Sequence, residues 1–432
     1  MTTDAERRET GRSMHRFFHF LFKGDKTIWF VILGLMFISI VLVFSATSNI
    51  AFLSEQRGGG FYNPIIRHSG HVFFAFMVCL VGSRIPPKVF AGMSRLLVLI
   101  SVVLLLLVLL MGVERNDGKR WIEFFGVEFQ PSEIARFALI NFAAFRLGKA
   151  DYKEKAAFLG IAIPTAVIAL LIFIENISTA LLIGAVVFLM GIIAQANRKM
   201  LTMTFLGLVA AGGLGLAVLM ILPSSMLEGK GRLATGKARI ERFFKSTDED
   251  GESKLDMNNK DYQIVQSKKA MARGGITGVG PGDSEARYFL PQPYSDFIYA
   301  MIVEEYGLAG SLVVLALYII LFFRIAVIAG RTNSMYLKLM LMGIGLAITL
   351  QAMINMLVAT GVFPVTGQPL PFISRGGTSY IITAAYFAVL LSVSNAAEHE
   401  REHRIAEAGG VAVETEEVPE IVEYEDNDQD HR

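Results

Sequence analysis

Apolar residues fall along this chain in long blocks. Segments 28–46, 96–113 and 201–222 are each near the roughly 20 residues a helix needs to cross hydrocarbon. Helical spans are expected near 27–47, 69–85, 95–113, 131–147, 156–174, 178–196, 200–222, 297–326, 335–360 and 378–396. Every second connection is basic: Arg84, Lys88 and Arg95; then Arg146, Lys149, Lys153 and Lys155; then Arg198 and Lys199; then Arg324, Arg331 and Lys338. Basic loops stay on the cytoplasmic side, so these connections and the N-terminus are expected inside. An even number of spans brings the C-terminus back to the same side. The pattern predicts an all-α polytopic membrane protein of about ten transmembrane helices with both termini cytoplasmic. A large extracytoplasmic loop, 223–297, then separates the seventh and eighth spans.

Composition agrees with a bilayer as solvent: 53% of residues are hydrophobic, 18% are charged and mean hydropathy is +0.49. Residues 1–26 form a basic cytoplasmic segment (Arg7, Arg8, Arg12, Arg16) without the apolar core and small-residue cleavage site of a removable signal. The first span is expected to serve as an uncleaved insertion signal. Residues 27–396 are the expected transmembrane domain, and 397–432 an acidic, aromatic-poor tail expected to be disordered. The net charge of +1 hides this asymmetry, and neither end suggests nucleic acid as a partner. A single cysteine, Cys79 in an apolar run, excludes an intrachain disulfide. No internal repeat is visible, nor the matched pair of Gly/Pro-broken helices that marks many secondary transporters.

Polar residues concentrate in four places on the side expected to face outward. The first holds Lys119, Arg120, Trp121 and Glu123, then Gln130, Pro131, Ser132 and Glu133, with Arg136 entering the next span. Pro131 is expected to open that helix and Ser132 to cap it. Glu133 and Arg136, at i and i+3, share one helical face about a turn into the membrane. Ionisable groups there mark a functional site or a structural ion pair, with equal weight. The second cluster is 261–282, where Lys268, Lys269 and Arg273 are suited to clamp a diphosphate while glycine amides let backbone approach it. Basic residues facing anionic membrane lipids are the plainer reading.

The third cluster is 290–305. Asp296, between Tyr294 and Phe297 where the outer loop enters a span, is placed to accept a proton from a sugar hydroxyl. Helix capping by Ser295 and Asp296 is the commoner use of such residues. Glu304, roughly 12 Å deeper on a helix, is expected to be an internal structural partner. The fourth joins Gln351 and Asn355, one turn apart, to 361–379, whose prolines and glycines imply a rigid turn. Arg375, beside Ser374, offers a second anion contact, or the stretch simply packs two helices.

Together these clusters resemble the FtsW/RodA family, the SEDS proteins. The resemblance runs from the first span to about residue 396. It is carried by Arg120-Trp121-Ile122, Phe129-Gln130-Pro131-Ser132-Glu133, Gln266-Ser267 with Gly274-Gly275, Leu290-Pro291, Asp296-Phe297-Ile298, Glu304-Glu305-Tyr306-Gly307, and Leu370-Pro371 through Gly376-Gly377-Thr378-Ser379. The detail is closer to the division branch than to the elongation branch. The resemblance implies an inverting glycosyltransferase in the bacterial inner membrane, acting at the division septum on lipid II. The acceptor 4-hydroxyl attacks the donor's anomeric carbon with Asp296 as general base, and undecaprenyl pyrophosphate leaves.

Substrate contacts are then expected from Arg120, Glu133, Arg136, Gln266, Ser267, Lys268, Arg273, Asn355, Ser374 and Arg375. The resemblance also implies a class B penicillin-binding transpeptidase and other division proteins as partners. No cofactor is called for beyond a divalent cation (Mg or Mn), for which the chain offers only oxygen ligands without diagnostic spacing. Departures from the family pattern are Tyr294-Ser295 for His-Thr, Gln292 for Glu, Arg136 for Lys, and Glu175-Asn176-Ile177-Ser178-Thr179 for Pro-Asp-Leu-Gly-Thr. The last puts in doubt any role for that aspartate as a charge. A lipid II flippase and a non-enzymatic division scaffold are the rival functions. A flippase would spread its essential polar groups to midplane and both faces, whereas here they crowd one side.

Overall fold

A computed structural model describes residues 22–46, 63–115, 118–124, 127–149, 155–199, 201–207, 213, 260–290, 295–374 and 377–408. The fold is a helical bundle with one small sheet. In order it runs α1 (Lys26–Ala46), α2 (Asn63–Gly82), α3 (Pro87–Gly92), α4 (Ser94–Met111), β1 (Val113–Arg115), β2 (Gly118–Phe124), β3 (Val127–Phe129) and α5 (Pro131–Leu147). There follow α6 (Lys155–Glu175), α7 (Ile177–Ile193), α8 (Lys260–Gly274), α9 (Ala286–Phe289), α10 (Ile298–Arg331), α11 (Met335–Ala359) and α12 (Gly377–Ala408).

Six of these, Lys26–Ser45, Ile65–Gly82, Ser94–Met111, Ile298–Arg331, Met335–Ala359 and Gly377–Ala406, are long and apolar enough to cross a membrane, and Leu159–Phe173 and Ile177–Ile193 are shorter apolar helices. The chain is a multi-pass membrane protein. Helix α5 is the exception in composition: it carries Glu133, Arg136 and Asn141 but buries all three. A polar helix is tolerated in a bundle when its neighbours, rather than lipid, receive its polar groups. The expected span near 200–222 lies largely outside the described residues.

The principal core draws on α1, α2, α5, α7, α10, α11 and α12, and a smaller one (Leu105, Ala135, Leu139, Ile168, Ile172, Ala180, Ile183) joins α4 to α7. Small residues let the helices approach closely: a Cβ on Gly343 of α11 would stand 2.7 Å from Ile140 Cγ2 on α5.

Three features depart from the sequence expectation. First, the connection before α5 is a three-stranded antiparallel sheet in the order β1-β2-β3, with Val113 opposite Trp121 and Ile122 opposite Phe129. Its strands are too short to register against helical spans in a hydropathy reading, yet β-branched and aromatic residues alternate with charges as strands require. Second, Ser132 does not cap α5: Gln130 is the N-cap, its Nε2 donates to Ser132 Oγ at 2.8 Å, and only Pro131 takes its expected first-turn place. Third, the tail expected to be disordered from 397 is helical as far as Ala408. There Glu400 Oε1 accepts from the Ser334 amide at 3.2 Å and Arg404 Nη1 donates to Asn333 Oδ1 at 2.9 Å. The acidic segment is held by the α10–α11 connection, a partner that composition cannot reveal.

Candidate active site

Helix α10 begins at Ile298 with Phe297 as its N-cap and no side-chain capping bond, so Ser295 and Asp296 are not used as caps. Instead Ser295 Oγ donates to Asp296 Oδ1 at 3.0 Å, and the half-buried carboxylate faces the segment that joins α11 to α12. At Gly367 of that segment a Cβ would lie 3.5 Å from Asp296 Oδ2 and 3.7 Å from Arg120 Nη1. An acid just before α10 and a cation from β2 therefore converge on one backbone position.

That position is held by side-chain hydrogen bonds to backbone. Asn355 Nδ2 donates to both Asp296 O (2.9 Å) and Gln368 O (2.8 Å), tying the acid and the turn to α11. Ser374 Oγ accepts from the Leu370 amide (2.8 Å) and donates to Ser295 O (2.7 Å). Gln351, a turn before Asn355, donates from Nε2 to Pro369 O at 2.9 Å. Tyr318 on α10 donates to Pro371 O at 2.5 Å, and Ser39 on α1 donates to Ile373 O at 2.9 Å. Asn355 and Ser374, expected as substrate contacts, thus spend these polar groups on the backbone around Asp296. Buried carbonyls need donors, and these residues supply them.

A buried polar layer lies beneath. Arg136 Nη1 donates to Gln351 Oε1 at 2.5 Å and its Nε to Tyr386 Oη at 3.2 Å. Tyr386 in turn donates to Glu133 O at 2.5 Å, while Glu133 Oε1 accepts from Ser379 Oγ at 2.6 Å. The expected Glu133–Arg136 pair is thus bridged by Tyr386 and anchored to α11 and α12, and Glu133 Oε2 is buried with no hydrogen-bond partner. Both residues are over nine-tenths buried. Gln351, which accepts from Arg136 and donates to Pro369 O, links this layer to the segment beside Asp296.

The diphosphate clamp expected in 261–282 is placed differently. Arg273 pairs with Glu304 (3.1 Å) and Glu285 (3.0 Å), and Glu304 also accepts from Ser284 Oγ and from the amides of Glu285 and Ala286. The guanidinium is committed to carboxylates, and so serves the fold of the returning loop. Ser267 is buried and donates to Ala359 O at 2.6 Å, fixing α8 to the end of α11. Gln266 is half-buried on α8, and Lys268 is exposed with its stem against Gly361. Arg375 lies outside the described residues. Among the described residues no three His, Cys, Asp or Glu side chains group to hold a metal ion.

Sequence reasoning missed Tyr386, Ser379, Gln368 and Thr179. Gln368 Nε2 donates to Thr179 Oγ1 at 2.6 Å, and Thr179 stands in the first turn of α7. That turn also shows what the residue at 176 does in the fold. Asn176 is the N-cap of α7, its Oδ1 accepting from the amides of Ser178 (3.1 Å) and Thr179 (3.3 Å). An amide oxygen caps as well as a carboxylate does, so no charge is needed for that role.

A family model described as "Cell cycle protein", covering FtsW, RodA and SpoVE, matches residues 25–399. A protein of Geobacter metallireducens curated as "Probable peptidoglycan glycosyltransferase FtsW" is 31% identical over 380 residues, spanning 86% of this chain and 94% of that one. The peptidoglycan glycosyltransferase MrdB of Escherichia coli is 28% identical over 376 residues, 85% of this chain and 93% of its own. A chain of a solved peptidoglycan synthase complex superposes with a TM-score of 0.67 at 22% identity, covering 86% of this chain and 97% of that one. That likeness concerns the fold.

Proposed function

The chain belongs to the FtsW/RodA/SpoVE family of cell cycle proteins, and on that premise we propose that it is a peptidoglycan glycosyltransferase that polymerises lipid II. The observation that carries the reading is the convergence of the Asp296 carboxylate and the Arg120 guanidinium on Gly367. The opposite end of the bundle supports the orientation. Among the connections rich in Arg and Lys, the one from Arg324 to Lys338 follows the far end of α10, the helix that begins beside Asp296. Basic loops belong in the cytoplasm. Asp296 then faces the outer leaflet, both termini are cytoplasmic, the spans number about ten, and 223–297 is the extracytoplasmic loop.

In this reading the acceptor's 4-hydroxyl transfers its proton to Asp296 as its oxygen bonds to the donor's anomeric carbon. The bond to undecaprenyl pyrophosphate breaks on the opposite face and the configuration inverts. The leaving group is already a stable anion and needs charge support rather than a proton. Arg120, at the same backbone position as the acid, is suited to provide it. Lys268, exposed on α8, is a further cation in this reading. The location is the inner membrane at the division septum. The working partner is a class B penicillin-binding transpeptidase, and similarity to FtsW relatives supports the division role.

Detergent-purified protein, with and without a transpeptidase partner, incubated with labelled lipid II should yield glycan polymer. Asp296→Asn should abolish it while leaving the detergent melting curve within a few degrees of wild type. Polymer made by the folded mutant would remove Asp296 as the base, and wild-type protein that moved lipid II between leaflets without joining it would favour the flippase.

A further inference from the structure

Gly367 forms the wall against which Asp296 and Arg120 meet, and its conformation is fixed by what holds residues 368–374. Most of those braces come from α11, α10 and α1: Asn355, Gln351, Tyr318 and Ser39 all bond carbonyls of the segment or beside it. The bond from Gln368 to Thr179 pulls the other way, toward α7. Both side chains are buried, at 6% and 3% exposure, and at 2.6 Å the contact is short. The Thr179 end is itself immobilised, because its amide is one of the two that Asn176 caps. The Gln368 backbone carbonyl meanwhile accepts from Asn355, whose same nitrogen holds Asp296 O. One residue thus carries the bond to α7 through its side chain and, through its main-chain carbonyl, the bond to the Asn355 amide that also holds the Asp296 backbone.

Resting on the glycosyltransferase reading, we infer that Gln368 and Thr179 form a positioning pair that sets Asp296 and Arg120 relative to each other by clamping the Gln368–Pro369 peptide, beside Gly367, between α7 and α11. Neither side chain need touch substrate. Loss of the clamp leaves the peptide tethered on one side only, and a displacement of the order of 1 Å at a reacting group is enough to cost up to ~100-fold in rate. The signature of such a pair is a loss in turnover rather than in substrate affinity, shared by both partners.

The test uses full-length protein and labelled lipid II, comparing wild type with Thr179→Val, Thr179→Ser, Gln368→Met and the Thr179→Val/Gln368→Met double variant, each checked by detergent melting. Thr179→Val and Gln368→Met should each lower kcat ~10-fold or more with KM within ~2-fold, and the double variant should be no worse than the poorer single. Thr179→Ser, which keeps the hydroxyl, should restore kcat to within ~2-fold of wild type. Normal turnover in either folded single variant overturns the pairing. A raised KM with unchanged kcat overturns it too, because that marks substrate contact, as do losses that multiply in the double variant. If Thr179→Val does not survive extraction, Gln368→Met decides by the same criteria. A wild-type control that makes no polymer would refute the glycosyltransferase reading first, and this inference with it.

Discussion

Gly367 holds φ at +67°, a left-handed conformation in which a Cβ crowds the neighbouring carbonyl. Gly367→Ala should therefore cost ~1–2 kcal/mol from backbone strain alone and place a methyl against both the Asp296 carboxylate and the Arg120 guanidinium. Reduced polymer formation and a lower melting temperature in the same sample are expected; a variant with wild-type turnover would show that the convergence at 367 does not matter to the chemistry. Asp296 and Arg120 were legible in the sequence because ionisable residues at span ends stand out against hydrocarbon. Gln351 and Asn355 were visible as a pair one turn apart, but their duties were not, since each donates to a carbonyl, a group present at every position. Gln368 and Thr179 lay in stretches the sequence singled out, but nothing there paired them: a neutral amide and a hydroxyl acquire this meaning only from each other, and they are 189 residues apart.

Helix α10 is broken at Gly307, where φ is 66° and ψ is −166°, and residues 274–280 fill the break. The Val279 and Gly280 amides donate to Glu304 O (2.9 Å) and Glu305 O (3.0 Å), while the Leu308 amide donates to Gly275 O (3.0 Å). The carbonyls and amides that the interrupted helix leaves unpaired are thereby satisfied inside the bundle, as the membrane demands. Backbones meet so closely that a Cβ on Gly307 would lie 2.2 Å from Ile276 O, and one on Gly278 would lie 2.2 Å from Glu305 O. Gly307→Ala should destabilise the protein by ~3 kcal/mol or more through strain and overpacking combined, read as loss of monodisperse protein in detergent. Recovery of an equally stable protein would mean that the loop is not seated in the break. The sequence drew attention to these glycines as a route for backbone to approach a diphosphate. Glycine marks close approach without saying to what, and here the backbone approached is the chain's own.

Across the whole molecule the buried Asp25 closes the end opposite the candidate site. Its Oδ1 accepts from the Thr27 and Ile28 amides at the start of α1, and its Oδ2 from Arg324 Nη2 at 2.6 Å. Asp25→Ala should cost ~1–2 kcal/mol, chiefly the lost cap, since Arg324 is partly exposed and water can take up its charge; a lower melting temperature with polymer formation per folded molecule preserved is the expected reading. The apolar blocks determined, without the structure, that the chain crosses a membrane many times and nearly where each long apolar helix runs, because burial in hydrocarbon depends on local composition. The ionisable residues that could do chemistry were determined in the same local way. Tertiary structure alone decided which of them meet: that Arg120 and Asp296 converge on Gly367, that Arg273 pairs with Glu304 and Glu285, and that Arg136 bonds Gln351. Such pairings depend on how helices far apart in the chain rotate and pack, and no short window of sequence contains that.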